Sequence, residues 1–238
     1  MLDAEPNLEY RSSMQEPDPK NDFLRSGAFR ECFVVFFVVG LIGLVVILPA
    51  LANARKKASR INCVSNLKQV GIGLTIFVAE NSGLFPMQIS TNGSTSLAGG
   101  SKAWVGSTNV YRHFLAISNE IGSPKILACP VDKQRTFAQS FTNLANQHVS
   151  YWLELNARDK DPISLLTGDR NLATNGVFLN NGCYLIATQQ TLAWDGKRLH
   201  GAAGNIGLSD CSVQQCNTTN LGRARLSQPF ATNWLAIP

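Results

Sequence analysis

From Cys32 to Asn53 the chain runs twenty-two residues without one charged side chain. At about 1.5 Å per residue a helix of that size covers roughly 33 Å, against a hydrocarbon core of about 30 Å. The stretch therefore predicts one membrane-crossing helix over 28–54, and no second run of that length and composition follows. What comes after it is more than a tail. Leu51 to Ala79 contains no proline and only two glycines, so the helix is expected to continue beyond the membrane as an amphipathic segment over 55–82. Ala54, Ala58, Ile61, Ser65, Lys68, Gly71, Leu74 and Val78 mark one face of it, and Val64, Leu67, Val70 and Phe77 fill the flank beside that face. Asn81-Ser82-Gly83, then Pro86, signal a firm stop.

Outside the span, about 160 of the 238 residues remain for one globular head over 83–238. The net charge of +5 is thinly spread, and Arg55, Lys56, Lys57 and Arg60 form its one dense cluster. A basic run just past a spanning helix reads as an anchor at lipid headgroups. Without interleaved aromatic residues it does not read as a nucleic-acid surface. Met1 to Asp22 carries acidic, proline and polar residues with little to bury, and a leader over 1–27 is expected to be disordered or removed. A cleaved secretory signal fits poorly: its apolar core would far exceed the usual 7 to 15 residues, and no small-x-small site precedes a polar start.

Around the start of the span stand Arg25-Ser26-Gly27-Ala28-Phe29-Arg30-Glu31, followed by the apolar run to Pro49-Ala50-Leu51. This segment resembles the prepilin-type N-terminal cleavage and methylation segment of bacterial type IV pilins and type II secretion pseudopilins. In that family a basic leader ends in glycine and a glutamate sits near the start of the mature helix. Here Glu31 is four residues after Gly27 where the family places it at five, and Pro49 falls at the family's spacing. The resemblance implies cleavage after Gly27 by a prepilin peptidase, methylation of Ala28, and pairing of Glu31 with the free amine of a neighbouring subunit. An uncleaved signal anchor, with Glu31 lying among headgroups beside Arg30, is the alternative.

Ile61-Asn62-Cys63-Val64-Ser65-Asn66-Leu67-Lys68-Gln69, Cys129-Pro130-Val131-Asp132 and His200-Gly201-Ala202-Ala203-Gly204-Asn205-Ile206 are similar to segments of a large group of bacterial pseudopilin-like proteins. Lys20, Arg25 and Arg30 precede the span and four basic residues follow it, so charge alone leans against a cytoplasmic N-terminus. The resemblance implies the reverse: a single-pass inner-membrane protein with its N-terminus cytoplasmic and its head periplasmic or otherwise extracytoplasmic.

The head reads as α+β. Ser90 to Thr108 is rich in Ser, Thr, Asn and Gly, which favours a long surface loop, and Tyr111 to Ile121 has helical spacing with Phe114, Leu115, Ile117 and Ile121 inward. Lys125–Cys129, Val149–Leu155, Ile163–Thr167, Val177–Leu179, Cys183–Ala187, Leu192–Trp194, Ile206–Leu208 and Trp234–Ile237 read as strands. Asn180-Asn181-Gly182 reads as a hairpin turn between two of them. An antiparallel sheet packed on the upper helix, a pilin-like arrangement, is the expected architecture.

Catalytic motifs are missing. None of His113, His148 and His200 has ligand-pair spacing, each reads as a surface or turn residue, and no phosphate loop, dinucleotide fingerprint or nucleophile elbow occurs. Neither an enzyme nor a small-molecule substrate is expected. Gly168-Asp169-Arg170-Asn171 reads as a turn with an ion pair, or, by analogy with calcium sites in pseudopilin heads, as Asp169 binding calcium with Asp195 or Asp210. Of six cysteines one lies in the span, and the odd five in the head leave at least one free. An outer location permits disulfides, and a Cys63–Cys129 bridge tying helix to head is the expected pair. The function these readings imply is a structural subunit of a type II secretion or type IV pilus-like filament, partnered by the membrane, the peptidase and other pilin-like subunits. The alternative is a membrane-tethered binding module that never polymerises.

Overall fold

The computed structural model describes residues 27–90, 99–159, 161–228 and 231–238, without the side chains of 27–29. The leader and the middle of the loop expected over Ser90 to Thr108 lie outside the described residues. Two compact units divide the chain, Met1–Arg55 and Lys56–Pro238.

In the first unit the described chain is helical from Gly27. Helix α1 (Gly27–Glu80) runs through Pro49, which removes a single amide donor from the ladder. Every large apolar side chain from Phe33 to Leu51 is exposed. A stretch this long and apolar meets the requirements for crossing a membrane.

In the second unit the downstream half of α1 is part of a core. Cys63, Leu67, Val70, Leu74, Phe77 and Val78 are buried, at offsets of 0, 4, 7, 11, 14 and 15 from the first. This corrects the expected face, because Ile61 is 61% exposed and Ser65 and Lys68 also point outward. Two residues advance a helix by about 200°, so a stripe centred on Cys63 turns Ile61 to the opposite side. The stop falls where the sequence signals it. Asn81 Nδ2 donates to the Phe77 carbonyl at 2.7 Å, the Gly83 amide donates to Val78 at 2.9 Å, and Ser82 and Gly83 take φ of 59° and 79°.

Helices α2 (Tyr111–Leu115) and α3 (Ser118–Ile121) replace the single helix expected there, because Ile117 leaves helical geometry at φ −104°, ψ 24°. Phe114, Ile117 and Ile121 are buried as expected, and Leu115 is half-buried. The strand expected at Lys125–Cys129 is instead a 3-10 turn over Pro124–Leu127, begun by proline and capped by the Ser123 hydroxyl, which accepts from the Lys125 amide.

The strands are β1 (Tyr151–Glu154), β2 (Leu165–Asp169), β3 (Leu172–Thr174), β4 (Val177–Phe178), β5 (Gly182–Ala187), β6 (Leu192–Trp194), β7 (Ala203–Leu208), β8 (Val213–Asn217) and β9 (Thr232–Ile237), with helix α4 (Thr218–Leu226) after β8. Six form one antiparallel sheet in the order β5-β9-β1-β2-β7-β8, and three form a second in the order β4-β3-β6. The sequence reading missed β3, β8 and α4, and its hairpin is corrected: β4 and β5, on either side of Asn180-Asn181-Gly182, belong to different sheets. The tight hairpin is β3–β4, where Thr174 pairs with Val177 across Asn175 (φ 49°) and Gly176 (φ 79°). Two positive φ angles in sequence are the mark of a type I′ turn, for which Asn-Gly is the favoured pair.

β1 explains the layering. All four of its residues are buried, so neither face meets water. Tyr151 and Leu153 join the core that holds Leu67, Leu74 and Phe77 of α1, while Trp152 joins Leu172, Trp194 and Leu221 on the other side. Successive strand residues point to opposite faces. The large sheet therefore sits between α1 on one face and the small sheet with α4 on the other.

Candidate functional site

A cluster of polar and sulfur side chains lies within the second unit, assembled from four separate segments. Cys63 projects from the buried face of α1, and Cys129 follows the Pro124–Leu127 turn. A disulfide joins them across a Cα separation of 5.1 Å. Nearly one turn on, Asn66 Nδ2 donates to the carbonyl of Ala128 at 3.3 Å, which fixes the approach of the two segments.

Asp132, three residues past Cys129, accepts from Arg170 Nε at 2.7 Å and Arg170 Nη2 at 2.8 Å, and from the Ser150 hydroxyl at 2.9 Å. Burial would raise this carboxyl, but the Arg170 hydrogen bonds and charge, together with Ser150, outweigh it and hold the group below its usual range. Arg170 is placed by its position just after β2. One residue earlier, at the end of β2, Asp169 is fully buried, and its Oδ2 accepts from both the backbone amide (2.7 Å) and Nδ2 (2.9 Å) of Asn205 on β7.

His200 closes the cluster from the β6–β7 connection, between Leu199 and Gly201, both at positive φ. Its Nε2 is 3.6 Å from Cys129 Sγ and 3.5 Å from Asp169 Oδ2. Burial, reinforced by the positive charge of Arg60, pushes the imidazole down to about 4. Burial likewise pushes Asp169 up to about 7, against the Asn205 donors and the Arg60 charge. At neutral pH His200 is thus uncharged, and Asp169 Oδ1 is enclosed without a hydrogen-bond partner.

Among the described residues no convergent group of three ligand side chains includes the expected calcium ligands Asp169, Asp195 and Asp210. Asp195 accepts from the Lys197 amide at 3.2 Å and pairs with Arg198 at 3.6 Å, and Asp210 accepts from the Ser212 amide at 2.8 Å in an exposed turn. Each of these two carboxylates is occupied by its own turn, while Asp169 is held inside by Asn205. Among the described residues the group of three ligand atoms that does converge is Cys63, Cys129 and His200, within 4.8 Å of one another. Among the histidines His113 needs correction: it is fully buried, with Nδ1 2.7 Å from the Ser101 hydroxyl. His200 lies in a turn, as expected, with a side chain only 4% exposed, and His148 caps a turn, accepting from the Ala145 amide at 3.1 Å. No local pattern announces His200, because its neighbour Cys129 is 71 residues away.

In the first unit, Gly27 and Ala28 begin the helix backbone, and Arg30 and Glu31 are exposed at its N-terminal end. Of the cysteines outside the disulfide, Cys32 is exposed, Cys183 and Cys211 are half-buried and Cys216 is buried. No protein family, characterised protein or solved structure matches this chain.

Proposed function

We propose that the chain is a structural subunit of a type II secretion or type IV pilus-like filament, held in the inner membrane by its apolar helix before assembly. In this reading the N-terminus is cytoplasmic, a prepilin peptidase removes Met1 to Gly27, Ala28 is methylated, and the head is extracytoplasmic. The observation that carries it is the division of labour along α1: large apolar side chains from Phe33 to Leu51 are bare, while Leu67, Val70, Leu74 and Phe77 of the same helix are core residues of the head. Bare apolar surface on that scale needs lipid or other apolar helices around it. The Cys63–Cys129 disulfide supports an oxidising compartment for the head.

Intact-mass measurement on the membrane-extracted protein tests processing, with loss of Met1 to Gly27 and gain of one methyl expected. Cys32, exposed at the start of the apolar run, serves as a native probe of assembly. Thiol crosslinking in membranes is expected to yield oligomers through Cys32, and their absence from assembled preparations supports the non-polymerising tether instead.

A further inference from the structure

We propose that Cys63, Cys129 and His200 form a redox-gated site for a thiophilic divalent cation, zinc(II), which opens when their disulfide is reduced. This goes beyond the filament reading and does not rest on it. With the sulfurs joined there is no thiolate to offer, so the site belongs to the dithiol form alone. Reduction balances as an exchange: a dithiol reductant gives two electrons and two protons to the Cys63–Cys129 bond, yielding two thiols and its own disulfide. Zinc then displaces the two thiol protons. Reoxidation by a disulfide-bearing oxidant removes two electrons, re-forms the bond and expels the cation.

Geometry supports the assignment. Tetrahedral zinc with Zn–S near 2.3 Å and Zn–N near 2.0–2.1 Å separates sulfur from nitrogen by about 3.6 Å. Cys129 Sγ and His200 Nε2 are 3.6 Å apart, and all three donor atoms lie within 4.8 Å of one another. Two sulfurs on one zinc stand about 3.8 Å apart, a change that side-chain rotation of the two cysteines can make. Asp169, with Oδ2 3.5 Å from Nε2 and an enclosed, unpartnered Oδ1, places an oxygen acceptor beside the site. Water takes the fourth position. Cys63 and Cys129 are at most 2% exposed, so the thiolate–cation attraction acts in a low-dielectric surrounding. Metal and disulfide would tie together the same two segments, with the β6–β7 connection added by the metal.

The test uses the full chain in detergent, with Cys32, Cys183 and Cys211 replaced by Ser and Cys216 by Ala so that other thiols cannot compete. The protein is reduced with a water-soluble phosphine, desalted without oxygen, and titrated with cobalt(II) and then zinc(II). Expected are one equivalent per reduced chain, the visible bands of tetrahedral thiolate-bound cobalt, their displacement by zinc, and no uptake by the disulfide form. His200→Ala is expected to weaken binding roughly tenfold or more; its oxidised form is checked for cooperative melting, and Cys63→Ser, which must lose the cobalt bands, is the second variant. If the reduced chain unfolds, recovery of its circular dichroism on adding zinc supports the site. Failure to recover, binding to the disulfide form, or unchanged affinity in either variant overturns it.

Discussion

Arg170 closes on Asp132 with two parallel hydrogen bonds, 2.7 and 2.8 Å long, inside the head where both side chains are at most 4% exposed. The pair joins the segment after Cys129 to the end of β2. Removing one partner leaves a buried, uncompensated charge, at a cost of about 3–5 kcal/mol. Asp132→Ala is therefore expected to lower stability in urea by that amount. Asp132→Leu with Arg170→Met is expected to cost much less than the sum of the two single changes, and additive losses would show that the two residues act independently.

The helix is part of the core, and truncation measures this. A chain starting at Lys56 retains Leu67, Val70, Leu74 and Phe77 and is expected to fold in water without detergent. One starting at Gly83 is not. Burying each of those side chains contributes roughly 1.5–3 kcal/mol, a sum that rivals the ~5–15 kcal/mol stability of a typical domain. Cooperative melting of the shorter chain at an unchanged temperature would contradict the packing.

Glu154 gives stability a pH dependence of unusual sign. Burial pushes its carboxyl up to about 7, against hydrogen bonds from the amide of Trp234 (2.7 Å) and Nδ2 of Asn233 (2.9 Å). The folded state binds this proton more tightly than the unfolded chain does. Its contribution is therefore complete below about 4.5 and is lost as pH rises through 7. Glu154→Gln removes the titration, and Asn233 can turn its amide to meet the new one. Relative to wild type the variant is expected to gain up to about 3 kcal/mol between pH 4.5 and 7. Other groups that titrate in this window, His113 among them, are shared by both proteins and cancel in the difference. A difference that stays flat across the window refutes the assignment.

Gly168 pairs with Trp152 across β1 and β2, and a Cβ there would lie 2.7 Å from the indole and 2.8 Å from the Asn205 carbonyl. Trp152 is fully buried and cannot swing away. Gly168→Ala is expected to cost about 1–3 kcal/mol, read as an earlier thermal transition.

Glu31 tests assembly apart from insertion. Glu31→Ala removes one charge from the mouth of an uncharged run, so membrane insertion is expected to remain, while crosslinked oligomers through Cys32 decline. Undiminished crosslinking would eliminate Glu31 as the intersubunit partner.

Composition and periodicity alone determined the apolar span, the helix stop at Asn81-Ser82-Gly83 and most of the strands, because these depend on neighbours a few residues apart. The same information misplaced the buried face of α1. Helical spacing near Ile61 fits two adjacent stripes, and only the position of Cys63 against Cys129 selects between them. It also missed the Asn175-Gly176 turn, although that signal was present, and favoured Asn180-Asn181-Gly182, whose flanking strands separate into different sheets. The Arg170–Asp132 pair and the approach of His200 to Cys129 and Asp169 were illegible for a different reason. Their partners lie from 31 to 71 residues apart, so no local propensity encodes them; they form only when the antiparallel order of β1, β2 and β7 brings those segments to one place.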